Sequence, residues 1–324
     1  MNKDIIFFGI DISKDVFDVA ASNEKYYQFS NSYKGFKSFL KLLDNTSHCV
    51  MESTGYYHYR LAYFLLEHHI RVSVENPLSV KRFIQMKLSK IKTDKSDAKM
   101  ICKYAQQVTL NLWEGHSKNQ LASFQLMSLL EVYIKQSTSL KNKIHGEQTL
   151  GTPSKLILTS LKRSLKNLEK EMLLIEKKLV ELVKIEHQEM LTRLESIPGL
   201  GRKTSIMLIV LTDGFKRFSK ANELCSFSGL TPIIRQSGTS VKGKSRISKI
   251  GNKKLRNLLF MCSFTACKHN KSCKSLYDRI VAKGKSKKLA LIAVCNKLLK
   301  QAFAIAKSGL MYDETYRSIL PNLN

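Results

Sequence analysis

Short apolar runs alternate with helix-patterned stretches through the first 110 residues, and their order constrains the fold more than any other feature. Strand-like runs lie at residues 5–11, 16–21, 26–30, 49–52 and 71–74. Apolar residues recur every three or four positions at residues 35–43, 57–68, 78–88 and 96–107. The first pattern is typical of buried strands and the second of helices. The sequence therefore predicts three strands, then a helix, a strand, a second helix, a strand and two further helices.

This order is that of the ribonuclease H-like fold, in which the first and fourth strands are neighbours and the last helix packs across them. Four acidic residues fall at matching places in the sequence. Asp11 ends the first predicted strand and Glu52 ends the fourth, whereas Asp94 and Asp97 lie three residues apart at the start of the last helix. Residues with that spacing share a helix face. We therefore expect the four carboxylates to converge.

Several carboxylates at one place suit Mg²⁺ or Mn²⁺, which prefer hard oxygen ligands. Two such ions can stabilise the attacking and leaving oxygens of a phosphoryl transfer. Taken singly, each acid has a simpler interpretation as a cap or an ion-pair partner; the combination indicates a metal site. Five lysines near Asp94 are natural beside a phosphate backbone, namely Lys87, Lys90, Lys92, Lys95 and Lys99.

Charge points to a polyanionic partner. The 324 residues include 54 Lys and Arg against 26 Asp and Glu, a formal net charge of +28. Residues 191–324 hold 26 of the basic and 6 of the acidic residues. Nucleic acid is favoured because each neutralised phosphate releases counterions. An anionic membrane is the rival, but we find no long uncharged apolar run and no signal peptide. The seven irregularly spaced cysteines imply no disulfide framework, which favours a reducing cytoplasm.

The middle segment is predicted to be helical. Eight apolar residues are spaced alternately three and four apart, as in a heptad seam: Leu158, Leu161, Leu165, Leu168, Met172, Ile175, Leu179 and Leu182. A second helical stretch covers residues 121–144, and residues 151–153 break the two. The seam either packs within one chain as an antiparallel hairpin or joins another subunit. We predict domains at residues 1–110, 111–190 and 191–324, the last mainly α-helical.

The third segment opens with Ile197-Pro198-Gly199-Leu200-Gly201 before an apolar helix at 204–211. This pattern is typical of a helix-hairpin-helix turn, in which Gly199 and Gly201 let backbone N–H groups approach a phosphate, and equally of a plain turn. Seven basic residues and no acid follow between residues 241 and 256. They are Lys242, Lys244, Arg246, Lys249, Lys253, Lys254 and Arg256. We interpret them as nucleic-acid contacts, with a solvated basic face as the alternative.

Ser237 lies just before this basic run, between Arg235 and Gly238. A serine beside a phosphate-binding surface can attack phosphorus if something activates it. No His–Asp pair lies nearby in the sequence to do so. On the residues alone, an ordinary loop serine is favoured.

Seven motifs resemble the DEDD transposases of the insertion-sequence family numbered one-ten, which includes the Piv-type DNA invertases. The matching segments are GIDISK at 9–14, MESTG at 51–55, KTDKSDA at 92–98, IPGLG at 197–201, GLTP at 229–232, QSG at 236–238 and IGN at 250–252. Their order and spacing both fit, and they cover nearly the whole chain.

The resemblance implies a RuvC-like nuclease domain, a helical coiled-coil domain and a C-terminal transposase domain. It implies that Asp11, Glu52, Asp94 and Asp97 bind Mg²⁺ and that Ser237 is a nucleophile. It further implies a structured bridge RNA that pairs with donor and target DNA, and a homo-oligomer, either a dimer or a tetramer. A bacterial, nucleoid-associated location in the cytoplasm would follow. It leaves open whether the chain is a transposase or a site-specific invertase.

Three other functions fit parts of the sequence. A hydrolytic nuclease of the Holliday-junction type would share the acids but use water. A sugar kinase or actin-like ATPase would share the Gly-Ile-Asp-x-Ser-Lys segment at 9–14, but further glycine-rich phosphate motifs are absent from the sequence. A basic nucleic-acid-binding protein without catalytic activity would share only the net positive charge.

Overall fold

The computed structural model describes residues 5–53, 55–88, 93–233, 236–237, 241–242 and 246–316. The chain divides into two compact units, Met1–His116 and Ser117–Asn324. From residue 117 onward, the predicted middle and C-terminal domains fall within the same unit. The division into three domains remains a prediction.

The first unit contains a five-stranded mixed sheet in the order β3-β2-β1-β4-β5. Its strands are β1 (Ile6–Ile12), β2 (Val16–Ala21), β3 (Tyr26–Ser30), β4 (Ser47–Glu52) and β5 (Arg71–Glu75). The first three pair antiparallel, whereas β4 runs parallel to β1 and β5 parallel to β4. The predicted adjacency of the first and fourth strands is therefore present, which brings the ends of β1 and β4 to the same edge of the sheet.

Helices cover both faces of this sheet because its strands alternate their side chains between the faces. The helices are α1 (Tyr33–Leu40), α2 (His58–Glu67), α3 (Pro77–Met86) and α4 (Asp94–Gln107). Ile10 and Phe17 pack with Phe39 of α1 and Leu61 of α2 on one face. On the opposite face, Ala20 of β2 packs with Ala98 and Cys102 of α4. Every predicted strand and helix of this unit occurs, with its ends shifted by a few residues.

The second unit begins with a helical hairpin of α5 (Lys118–Thr149) and α6 (Lys155–Glu195). The helices are antiparallel, since Ser117 Oγ lies 2.8 Å from Glu186 Oε1 and Lys141 Nζ lies 3.1 Å from Glu169 Oε1. Of the predicted heptad residues, Ile175 and Leu179 are buried and the others are half-buried. Ile175 and Leu179 thus pack within the chain, whereas the coiled coil and a contact of the seam with another subunit remain predictions.

The rest of the second unit is mainly helical, as predicted. It contains α7 (Arg202–Thr212), α8 (Ala221–Phe227), α9 (Lys253–His269), α10 (Lys271–Ala282) and α11 (Lys287–Ser308). Two short antiparallel strand pairs were not predicted: β6 (Pro232–Ile233) with β9 (Arg246–Ile247), and β7 (Gln236–Ser237) with β8 (Val241–Lys242). Leu208, Leu259, Val294 and Leu298 lie in the shared core.

Among the described residues, α11 alone has the length and apolar composition of a membrane span. Its Val294, Leu298 and Ala302 are fully buried against other helices of the unit. A core helix meets the same criteria of length and composition, so this helix is weak evidence for a membrane.

Candidate active site at the carboxyl edge of the sheet

Gly9 of β1 brings α4 directly onto the sheet. A Cβ on Gly9 would lie 2.1 Å from the backbone nitrogen of Cys102 and 2.5 Å from the carbonyl oxygen of Ala98, distances that no real side chain tolerates. Ala20, the β2 partner of Gly9, supplies the other small residue beneath the helix. Two small residues side by side therefore form the floor on which α4 rests.

This close approach places the predicted acids together. Asp11 lies two residues beyond Gly9 on β1 and so projects from the same face of the sheet. Asp94 lies one helical turn before Ala98, which itself sits over Gly9. Because β1 and β4 are parallel, with Ile10 opposite Met51, Glu52 ends its strand at the level of Asp11.

A hydrogen-bonded cap fixes the start of α4. Thr93 Oγ1 accepts from the backbone N–H of Ser96 at 3.1 Å, and Ser96 Oγ accepts from the backbone N–H of Thr93 at 2.8 Å. This capping box holds Asp94 and Asp97 in the first turn of the helix. Carboxylates are favoured there by the partial positive charge of the helix N-terminus.

The carboxylates act on one another electrostatically. Burial raises the pKa of Asp11 from 3.8 to about 6, with further contributions from Asp97, Asp94, Glu52 and Asp18. Burial also raises the pKa of Glu52, with Asp97 contributing. The half-buried Asp11 therefore lies within electrostatic range of the other three predicted acids. We call Asp11, Glu52, Asp94 and Asp97 the carboxylate cluster.

The cluster offers only carboxylate oxygens, the donors that Mg²⁺ and Mn²⁺ prefer. A divalent cation would offset the repulsion among these carboxylates, which adds to the effect of burial on the pKa of Asp11. Within the part of the chain that the structure describes, however, no three His, Cys, Asp or Glu residues are arranged closely enough to hold a metal ion as they stand. The donor set fits a divalent cation, whereas metal coordination by these four residues remains a prediction.

Asp18 is a fifth acid beside Asp11, in addition to those predicted from the sequence. It lies opposite Asp11 in the β1–β2 pair and is only 3% exposed. Its carboxylate accepts hydrogen bonds from the Tyr26 hydroxyl and from Gln28 Nε2, the latter at 3.1 Å. The position of Asp18 inside the apolar run VFDVAA was the sequence signal for it, because an acid in a buried strand needs hydrogen-bond partners. Asp18 therefore lies beside Asp11 on the neighbouring strand and adds to the effect of burial that raises the pKa of Asp11.

Of the five lysines predicted beside a phosphate backbone, Lys87, Lys95 and Lys99 lie among the described residues, and all three are exposed. Lys95 is in the first turn of α4, and its Nζ lies 4.8 Å from the centroid of the Tyr26 ring. Lys92 lies outside the described residues.

Ser237 lies in the second unit, at the end of β7, where its backbone pairs with Val241 of β8. Arg235 and Lys244 fall outside the described residues. Of Lys242, only the backbone position in β8 is described. The nucleophile therefore remains a prediction, placed at the end of a short strand in the second unit.

The described basic residues near Ser237 divide into two kinds. Arg246, Lys249 and Lys253 are exposed. In contrast, Lys254 Nζ forms an ion pair with Glu131 at 2.8 Å, and Arg256 Nη1 donates to the Ser228 carbonyl at 2.7 Å. The last two side chains thus have structural partners, and nucleic-acid contact by any of the five remains a prediction.

The two glycines of the predicted helix-hairpin-helix turn also differ. Gly199 has a φ of +100°, and a Cβ there would lie 2.6 Å from the Cβ of Ala266 in α9. Its lack of a side chain serves packing between the turn and α9. Gly201 precedes α7, and a Cβ there would meet nothing within 4 Å. Open space before a helix N-terminus suits a phosphate contact at Gly201 better than at Gly199.

Two sequence models of transposase families match this chain. A model of DEDD-type IS110 proteins, described as a transposase, matches residues 8–149, and one described as the transposase IS116/IS110/IS902 family matches residues 191–278. The pilin gene-inverting protein of Moraxella bovis is 28% identical over 95% of this chain and 98% of its own length. The transposase for insertion sequence element IS1111A of Coxiella burnetii is 26% identical over 97% and 92%.

Proposed function

The chain belongs to the IS110-type transposases, since two family models match more than two thirds of it, and on that premise we propose that it cuts and rejoins DNA with Ser237 as nucleophile. It is a DNA recombinase, and the DEDD family to which it belongs suggests the use of a divalent metal. The observation that carries the proposal is the electrostatic effect of Glu52, Asp94 and Asp97 on the half-buried Asp11 at the end of β1.

The proposal assigns the first unit to a ribonuclease H-like, RuvC-like fold. In support, the strand order β3-β2-β1-β4-β5 combines an antiparallel meander with two parallel strands. That topology puts the ends of β1 and β4 together under the start of α4. The residues of the carboxylate cluster would hold Mg²⁺ or Mn²⁺. When bound, such an ion would stabilise charge on the scissile phosphate and on the attacking and leaving oxygens.

The chemical step exchanges one phosphodiester for another. The Ser237 Oγ–P bond forms as the P–O3′ bond breaks, and the serine proton ends on the released 3′-hydroxyl. In rejoining, a 3′-hydroxyl of another strand attacks the phosphoserine, a new P–O3′ bond forms, and the serine regains its proton. The number and type of bonds are conserved, so exchange needs no energy-rich cofactor.

The second unit supplies the nucleic-acid surface in this proposal. Exposed Arg246, Lys249 and Lys253 lie in a segment that contains no acid. In this proposal the segment contacts the sugar-phosphate backbone of the donor DNA, the target DNA and a structured bridge RNA. Oligomers, as dimers or tetramers, would bring two duplexes together.

Covalent trapping tests the proposal. The full chain is incubated with Mg²⁺, the structured bridge RNA and labelled duplex DNA that carries the ends of the insertion sequence. Adducts are then resolved under denaturing conditions. We expect an adduct with the wild type, none with Ser237→Ala, and none with Asp11→Asn. Adducts that form with Ser237→Ala would refute the nucleophile. Cleavage without any adduct would indicate the hydrolytic nuclease instead.

An inversion assay separates the two recombinase types, because one relative is named for inverting a gene and another for transposition. A plasmid carrying the element's ends on one molecule reports inversion, whereas a separate target plasmid reports transfer between molecules. Joining between the two plasmids supports a transposase, and inversion alone supports an invertase.

A further inference from the structure

Three tyrosines of the first unit form a ladder of rings along one side of α2. The ring centroids of Tyr56 and Tyr59 lie 6.3 Å apart at an interplanar angle of 29°, and those of Tyr59 and Tyr63 lie 6.1 Å apart at 21°. Trp113 packs behind the inner end, 5.1 Å from Tyr63. We call Tyr56, Tyr59 and Tyr63 the tyrosine ladder.

The outer end of the ladder faces solvent. Tyr56 is 60% exposed, and Tyr57 beside it is 45% exposed. The core side of α2 is formed by other residues, including Leu61 and Leu65, which are fully buried. Single exposed tyrosines are common on protein surfaces. Tyr56, at the outer end of a supported stack, presents an exposed aromatic ring that the core does not need, and the neighbouring Tyr57 is exposed as well.

This face follows directly on the carboxylate cluster. Glu52 ends β4, and Gly55, at a φ of +56°, lies in the turn that leads to Tyr56. The four residues from Glu52 to Tyr56 span at most about 14 Å, which is about the length of four nucleotides along one strand of B-form DNA. Lys14 is exposed just beyond β1, at the same edge of the sheet. A strand whose phosphate lies at the cluster can therefore reach both a cation and the tyrosines.

We propose that Tyr56, flanked by Tyr57, is a stacking platform for one unpaired base of the DNA strand beside the scissile phosphate. This inference rests on the proposed function, because it takes the cluster as the place where a strand is cut. Aromatic rings bind any base through its face, so the platform holds single-stranded DNA without reading its sequence. Such a ring favours a base that has already left the duplex stack, since unstacking then costs little.

The test uses the full chain and a short single-stranded DNA that contains one 2-aminopurine, whose fluorescence falls when it stacks. We expect quenching with the wild type. The double variant Tyr56→Ala,Tyr57→Ala should lose the quenching and bind about tenfold more weakly. Tyr56→Phe,Tyr57→Phe should behave as wild type, because stacking needs the ring and not the hydroxyl. Circular dichroism checks that each variant is folded.

Tyr33→Ala is the matched control, since Tyr33 is 58% exposed on α1 of the same unit. It should leave quenching and affinity unchanged. Asp11→Asn separates this inference from the proposed function, because it should abolish cleavage and retain quenching. Unchanged quenching in the double alanine variant would overturn the platform. So would tighter binding and equal quenching with an RNA of the same sequence, which would make RNA the occupant.

Discussion

Gly9 lies directly against the backbone of Cys102, so that a single methyl group on Gly9 would come within 2.1 Å of the Cys102 nitrogen. This contact sets the distance between β1 and α4. Asp11 and the Asp94/Asp97 pair lie on those two elements, at the end where the strand finishes and the helix begins. The packing of one glycine therefore controls how closely the carboxylates approach.

Gly9→Ala should displace α4 and separate the carboxylates. We expect the free energy of unfolding to fall by about 1–3 kcal/mol, the range for overpacking a tight core, and DNA cleavage to fall with it. Gly146→Ala is the control, because a Cβ at this helical glycine of α5 meets nothing within 4 Å. That variant should gain up to about 1 kcal/mol. A Gly9→Ala protein as stable and active as the wild type would contradict the packing argument.

The raised pKa of Asp11 predicts a distinct dependence of stability on pH. Its pKa is about 6 in the folded chain against 3.8 for an ordinary exposed aspartate, so the folded state holds this proton more tightly. The contribution of Asp11 to stability is therefore present below pH 3.8 and is lost as the pH rises through 6. Without divalent cations, Asp11→Asn should have a higher Tm than the wild type at pH 8 and a similar Tm at pH 3.5. Tm profiles that run parallel across this pH range for both proteins would refute the raised pKa of Asp11.

Tyr26→Phe should destabilise the first unit beside the carboxylate cluster. The change removes the hydroxyl that donates to the buried carboxylate of Asp18, while Gln28 Nε2 still donates to the same oxygen. Loss of one such hydrogen bond costs about 1 kcal/mol, which urea denaturation can measure. Tyr27→Phe serves as the control, since its ring packs with Phe29 on the same strand. Equal stability of the two variants would remove the role assigned to Tyr26.

Lys253 and Lys254 are adjacent but differ in their contacts, which makes them a matched pair. Lys253 is exposed, whereas Lys254 is paired with Glu131. Lys253→Ala should weaken binding to any DNA sequence and reduce the slope of log affinity against log salt by about 1. Lys254→Ala should change the slope less and the stability more. The opposite ranking of slopes would show that Lys254 contacts the phosphates.

The sequence predicts much of the first unit because its elements carry strong local patterns. The apolar runs of β1, β2 and β4 and the spacing in α2 and α4 are visible without any tertiary information. Asp11 and Glu52 could be placed because they end such runs. Asp94 and Asp97 could be paired because three residues make almost one helical turn.

Other features depend on contacts between distant residues. Asp18 is a buried acid only because Tyr26 and Gln28 of the next strand reach it. The importance of Gly9 depends on a helix that lies about 90 residues later in the chain. The predicted start of α4 at residue 96 was two residues late, because the capping pair Thr93 and Ser96 lacks the usual Glu or Gln at its third position. The two-residue strands β6 to β9 are too short for a periodic signal.

Divalent-cation binding by the carboxylate cluster tests the central claim most directly. Calorimetric titration of the full chain with Mn²⁺ at pH 8 should show saturable binding that falls about tenfold or more in Asp11→Asn and Asp97→Asn. Asp15→Asn, which changes an exposed acid in the turn after β1, should bind as the wild type does. Mn²⁺ binding of equal affinity in all four proteins would contradict the account, because the cluster would then not be the metal site.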